Sequence, residues 1–205
     1  MGVEEVFRVV LITEFSLFSI IRIEYHRSAR KAGYKTLIEE SRPYSIALGL
    51  FIIYEVVTFF IYIFYPQLLM WAAFSMLVSL RWLGASIGAL SLLLFVWTHR
   101  SLEKNFSVKL SIKEQQGLVT DGPYHWIRHP MYVAFYLLNT AAFLLTSNWF
   151  IGATWLAGLT IIIALRVRRE EAMMIERFGE QYISYMKRTG RLIPLIRLNP
   201  FHNSG

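Results

Sequence analysis

Between Met131 and Leu165 the chain runs for thirty-five residues without one Asp, Glu, Lys or Arg. As a single helix this segment would measure about 52 Å at about 1.5 Å per residue, well beyond a hydrocarbon core of about 30 Å. A chain carrying so long an uncharged run must therefore fold back on itself. The polar cluster Thr146-Ser147-Asn148, followed by Gly152, marks where it can turn, so the segment reads as a helical hairpin. Each arm holds only sixteen or seventeen residues, which implies local thinning of the bilayer or helix ends that reach into the interface.

The rest of the chain agrees with a membrane class. Of 205 residues 55% are hydrophobic and 17% charged, where a soluble domain carries about 25% charged; this excludes a disordered chain. The absence of cysteine excludes disulfides, thiolate metal sites and cysteine nucleophiles together. Tyr44 to Tyr65 is a further apolar stretch, bounded by Pro43 and Pro66 and interrupted only by Glu55. The run from Leu68 to Thr98 is broken by Arg81, which divides it into an interfacial or re-entrant lead-in, Leu68 to Ser79, and a span from Leu80 to Thr98. Val6 to Ile23 carries Arg8 and Glu14 but lacks the basic start and cleavage site of a signal peptide, and reads as a span. The expected fold is all-α: one integral-membrane domain over residues 1–205, a polytopic bundle of about five spans.

Charge placement gives the orientation. Nineteen of the 21 Lys and Arg residues fall within Arg22 to Arg42, Arg100 to Arg128 and Arg166 to Arg197, which are alternate loops plus the C-terminal segment. The positive-inside rule then places the C-terminus in the cytoplasm and the N-terminus outside. The net charge of +7 is thereby explained by topology. No basic stripe with interleaved aromatics remains, so the expected partner is the lipid bilayer and not a nucleic acid. After the last span, Arg166 to Lys187 continues with Met174, Phe178, Tyr182 and Tyr185 or Met186 at helical spacing. It reads as an amphipathic helix along the cytoplasmic face, stopped by Gly190 and Pro194.

Two clusters could carry chemistry. The first is the loop Gly117-Leu-Val-Thr-Asp-Gly-Pro-Tyr-His-Trp-Ile-Arg-His-Pro-Met-Tyr132. Pro130 suits a first helical position, which leaves the N–H groups of Met131 and Tyr132 at a positive helix end, a place for a carboxylate or phosphate. The same His, Tyr, Trp and Arg residues also suit simple interfacial anchors. The second cluster is Arg166, Arg168, Arg169, Glu170 and Glu171. Arg166 and Glu170 share a helix face, whereas Glu171 is rotated by about 100°. Arg168, Arg169 and Arg177 read as stop-transfer and surface charge, while Arg166, at the end of the uncharged run, points into the bundle. His99 stands alone at a helix end and reads as a capping residue, so no metal is expected. The intramembrane acids Glu14 and Glu55 are functional candidates or structural partners, Glu55 with Arg81 for example. The sequence contains no G-x-G and no Walker motif.

Taken together, these residues resemble the isoprenylcysteine carboxyl methyltransferase family, integral-membrane enzymes that use S-adenosyl-L-methionine. The resemblance rests on Leu118-Val-Thr-Asp-Gly-Pro-Tyr124, on Arg128-His-Pro-Met-Tyr132, on Arg166 with Glu170-Glu171, and on Phe178-Gly-Glu-Gln-Tyr182 running to Thr189-Gly-Arg-Leu-Ile-Pro194. It takes in His99-Arg-Ser-Leu and Asn105-Phe-Ser107 and covers roughly the C-terminal half; residues 1–75 match only as a pattern of spans. Glu103 and Phe106 stand where relatives often have Gly and Trp. The resemblance implies that Gln116, Gly117, Leu118, Val119 and Tyr124 line the cofactor. It further implies that His129, Pro130, Met131 and Tyr132 hold the cofactor's amino-acid end, that Glu170 takes its ammonium, and that Arg166 faces the methyl acceptor. The pocket is expected on the cytoplasmic side, open laterally to a lipophilic acceptor.

A carboxylate acceptor, with a pKa of about 3.5, is ionised without a general base. A phospholipid N-methyltransferase would instead deprotonate the ammonium of phosphatidylethanolamine, beside which Arg166 is repulsive. The expected acceptor is therefore an isoprenylcysteine or similar lipid-tailed acid, with the amine lipid as the alternative. A sterol-type membrane reductase using NADPH and a non-catalytic membrane protein are the other classes left open.

Overall fold

In a computed structural model, residues 2–31, 42–107 and 117–195 of the protein are described. They form the helices α1 (Val3–Lys31), α2 (Arg42–Phe64), α3 (Val78–Ser107), α4 (Pro130–Thr146), α5 (Trp149–Phe178) and α6 (Glu180–Arg188). Two short 3-10 segments, Pro66–Ala72 and Gly122–His125, join them. α2, residues 78–102 of α3, and α5 are each long and apolar enough to cross a bilayer, and α4 is an apolar helix of 17 residues. α1 is long but carries Arg8, Glu14 and Arg22, and it packs against α3 and α4. The outward faces are apolar, as at Leu50, Ile53, Phe60 and Leu93, each more than half exposed. Such surface is stable against lipid and not against water.

The uncharged run folds as the hairpin its polar cluster predicts. Ser147 adopts the left-handed conformation at φ 47°, and Asn148 caps α5 by accepting the N–H of Ile151 at 3.1 Å. The same Asn148 side chain donates to the Leu69 carbonyl at 2.9 Å, and the Phe74 N–H donates to the Ser147 carbonyl at 3.0 Å. The lead-in before α3 is thus tied to the hairpin turn. Close helix approach depends on small residues: a Cβ on Gly84 would lie 2.7 Å from Cβ of Leu144, as expected where interhelical dispersion must do the packing in lipid.

The core divides along the bundle axis. Phe7, Leu11, Leu145, Ile151 and Trp155 fill the end that holds the hairpin turn, with Trp155 donating to Thr58 Oγ1 at 2.9 Å. Phe18, Phe95, Ala134 and Leu138 fill the middle. Tyr132, Leu159, Ile163 and Val167 pack at the other end, where the motif clusters gather.

Two expectations are corrected. The helix expected to run unbroken from Arg166 to Lys187 stops at Phe178, because Gly179 at φ 51° turns the chain before α6 starts. Arg81 does not pair with Glu55. Its guanidinium grips both carboxylate oxygens of Glu4 and donates to the Leu145 carbonyl at 2.7 Å, while the cation near Glu55 is Arg22. Arg81 lies in the first turn of α3, level with the start of α1, whereas Glu55 lies deeper in α2.

Candidate active site

The uncharged part of α5 ends at Leu165, and the helix continues for three more turns that carry Arg166, Glu170 and Glu171. The one-residue step between the two glutamates sends them to different partners. Glu171, with a side chain 5% exposed, accepts Arg128 Nε at 3.0 Å and Arg191 Nε at 3.2 Å, and a second Arg191 nitrogen reaches its other oxygen. Arg128 also donates from Nη1 to the carbonyls of Met186, at 3.2 Å, and of Thr189. Through Nε and Nη1 a buried arginine thus joins one carboxylate and two carbonyls, which closes the segment after α6 onto the loop before α4.

Backbone pairing completes that closure. Arg128 N–H donates to the Gly190 carbonyl at 2.8 Å, His129 N–H to the Arg191 carbonyl at 3.1 Å, and Gly190 N–H to the Trp126 carbonyl at 3.3 Å. Gly190 is required here, since a Cβ would fall 1.7 Å from the Ile193 carbonyl oxygen. The Tyr185 hydroxyl donates to the Tyr124 carbonyl at 2.6 Å. Burial and the neighbouring Tyr185 and Glu170 push the Tyr124 hydroxyl well above the usual phenol range, and burial beside Glu171 pushes Tyr182 up to about 12.

Glu170 faces the other way, toward the start of α4. Its Oε1 accepts Arg166 Nε at 2.7 Å, its Oε2 lies 3.5 Å from His129 Nδ1, and the Tyr132 hydroxyl bonds to it as well. The His129 ring stacks on Tyr132 with centroids 5.4 Å apart and stands between the two carboxylates. Its Nε2 is 3.4 Å from Glu171 Oε1, yet out of line for a hydrogen bond, and is buried without an acceptor among the described residues. Glu170 and Arg166 retain 18% and 29% side-chain exposure, so this side of the cluster is open where the Glu171 side is closed. The Arg166 guanidinium also lies over the Tyr44 ring at 6.0 Å, which links α5 to α2.

Of the residues singled out in the sequence, the structure brings together His129, Pro130, Met131, Tyr132, Arg166 and Glu170, with Tyr124 next to them through Tyr185 and its closeness to Glu170. Gly117, Leu118 and Val119 lie in the coil before the Gly122–His125 turn, and no hydrogen bond or ion pair among the described residues ties them to the cluster. Gln116 falls outside the described residues. Of the two N–H groups at the start of α4, that of Tyr132 turns back to the His129 carbonyl at 3.1 Å, whereas that of Met131 has no acceptor among the described residues. Sequence reasoning did not assign Arg128 and Arg191 to the site. Their signal was the excess of arginines around a single carboxylate pair, but only the fold shows which of them meet Glu171.

Residues 82–176, from the first turns of α3 to the end of α5, match the model of the isoprenylcysteine carboxyl methyltransferase (ICMT) family. A protein-S-isoprenylcysteine O-methyltransferase of Homo sapiens is 30% identical over 93 residues, which cover 45% of this chain and 33% of that protein. A methanethiol S-methyltransferase of Pseudomonas deceptionensis is 33% identical over 134 residues, covering 62% of this chain and 48% of that protein. These matches thus span a third to a half of the relatives' length. The solved eukaryotic intramembrane Ras methyltransferase ICMT superposes with a TM-score of 0.54 at 22% identity, over 91% of this chain and 68% of that chain, a likeness of fold.

Proposed function

We propose that this chain, whose residues 82–176 match the model of the isoprenylcysteine carboxyl methyltransferase family, belongs to that family and transfers a methyl group from S-adenosyl-L-methionine to the carboxylate of an isoprenylcysteine or a similar lipid-tailed acid. The observation that carries the reading is the half-open cluster of Glu170, His129, Tyr132 and Arg166 at the start of α4. An amino-acid moiety needs an acceptor for its ammonium and donors for its carboxylate. Glu170 supplies the first, while the Met131 N–H, without an acceptor among the described residues, supplies the second. When bound, the cofactor supplies an electrophilic methyl group on a sulfonium.

The remaining work is positioning and exclusion of water. Glu170 holds Arg166 through Nε and so fixes the plane of its guanidinium, which then orients an acceptor carboxylate by two-point contact. No general base is required, since that carboxylate is already ionised. The whole chain, residues 1–205, acts as one membrane domain, with the cluster on the cytoplasmic side as the Lys and Arg distribution indicates.

A second reading follows from the longer match to the methanethiol S-methyltransferase, in which the acceptor is a small thiol. Methylation assays on a farnesylated cysteine analogue, methanethiol and phosphatidylethanolamine separate these acceptors. Calorimetry with S-adenosylhomocysteine and with NADPH tests the cofactor: binding of the first alone is expected, and binding of NADPH alone would replace the methyltransferase by a reductase.

A further inference from the structure

At the end of the bundle that holds the hairpin turn, remote from the cluster around Glu170, a cavity of about 280 Å³ opens between α1, the end of α2 and the Pro66–Ala72 segment. Its walls include Glu4, Arg8, Tyr62, Leu69, Met70 and Asn148. Arg8 and Arg81 are the two of 21 basic residues that lie outside the three basic segments, and both come here, beside Tyr62. Cations on this side run against the positive-inside bias and call for local compensation.

Arg81 has it, in the Glu4 carboxylate and the Leu145 carbonyl. Asn148 is committed at both ends, to Leu69 and Ile151. Arg8 is different. Its guanidinium lies 5.8 Å from the Tyr62 ring centroid, its buried Nε has no acceptor among the described residues, and Glu4, one turn earlier, is gripped by Arg81. Among the described residues no ion pair holds Arg8, so its guanidinium stands beside a cavity with an apolar wall without a bound carboxylate, Glu5 being exposed and turned to the Gly2 N–H.

The depth of the cavity in the membrane is marked by Trp71 and Trp149, packed edge to face at 5.4 Å and both about half exposed or more. Such paired tryptophans belong at headgroup level. A volume of 280 Å³ admits a phosphate with part of its glycerol but not an acyl chain, which stays in the surrounding bilayer. We infer that Arg8 binds the phosphate of an anionic phospholipid in the leaflet opposite the methyl-transfer site, with the headgroup in this cavity.

The test uses the full chain purified in a neutral detergent, with thermal unfolding read against added phosphatidylglycerol, phosphatidylcholine or inorganic phosphate. Phosphatidylglycerol is expected to raise the midpoint more than phosphatidylcholine. Arg8→Gln should weaken that response about tenfold in lipid concentration, as loss of a charge-assisted hydrogen bond implies. Leu69→Trp, which fills the cavity and keeps the charge, should do the same, whereas Arg42→Gln at the other end of α2 should not. If Arg8→Gln fails to fold, the Leu69→Trp comparison carries the test. An equal response to inorganic phosphate alone would reassign the site to a soluble anion and overturn the lipid assignment. Identical responses from wild type, Arg8→Gln and Leu69→Trp would overturn the site itself.

Discussion

His129 stands between two adjacent glutamates whose surroundings differ, and that difference predicts different consequences for the same substitution. Glu171 closes a buried arginine clasp, so Glu171→Gln should lower stability by about 3 kcal/mol, the cost of leaving Arg128 without its carboxylate. Thermal unfolding in detergent reads that loss, and cofactor affinity measured below the transition should change little. Glu170 is more open and faces the helix end, so Glu170→Gln should weaken S-adenosylmethionine binding by about 1.5 to 3 kcal/mol in calorimetry, with a small effect on unfolding. Equal affinity losses for both would contradict the proposed facing. The shared face of Arg166 and Glu170 was legible because a four-residue spacing fixes it within one helix. The partners of Arg81, Arg128 and Arg191 were not, because each meets its carboxylate from another part of the chain. Glu4 was overlooked for a related reason, as it precedes the apolar segment that marked the first span.

At the scale of elements, the positions of turns were easier to read than the ends of helices. Thr146-Ser147-Asn148 marked the hairpin because an uncharged run has few other polar points at which to turn. Gly179 was missed because apolar spacing continues across it from Phe178 to Tyr182, and spacing does not reveal a backbone angle. The pairing of residues 126–129 with 190–191 was also invisible, being a non-local contact with no side-chain pattern. It makes a prediction at Gly190. Alanine there collides with the Ile193 carbonyl, so Gly190→Ala should cost about 1 to 3 kcal/mol in stability and release the clasp, detected as faster hydrogen exchange at Arg128 and His129. The α6 tyrosines and Tyr124 add a pH dependence. Their raised hydroxyl pKa values mean that the unfolded chain loses these protons first, from about pH 10, while Tyr182 keeps its own to about pH 12. The unfolded state then binds fewer protons, so stability should fall as pH rises above about 10. Unfolding midpoints across pH 8 to 11 check this, and Tyr182→Phe should reduce the decline.

For the molecule as a whole, the apolar spans, the charge-free hairpin and the alternation of basic segments made the membrane bundle legible, while the tail folding back on the α4 loop emerged only in three dimensions. The topology predicts that cysteines placed singly at His125 and Trp149, both exposed, label from opposite sides of the membrane, His125 from the cytoplasm. Labelling from one side would remove the proposed orientation. The chemistry has its own whole-molecule signature, because donor, acceptor and lipid access must all be in place at once. A carboxylate acceptor stays ionised from about pH 6 to 8 and gives a flat rate, whereas an ammonium acceptor gives a rate that climbs with pH. The most direct measurement is methyl transfer from S-adenosylmethionine to a farnesylated cysteine analogue by wild type and Arg166→Lys across that range, with the methyl ester identified by mass spectrometry. Ester formation by wild type at a pH-independent rate, strongly reduced in Arg166→Lys with cofactor affinity retained, is the predicted result. No ester, with transfer only to methanethiol or to phosphatidylethanolamine and no response to the substitution, would contradict the assignment of Arg166 to a carboxylate acceptor.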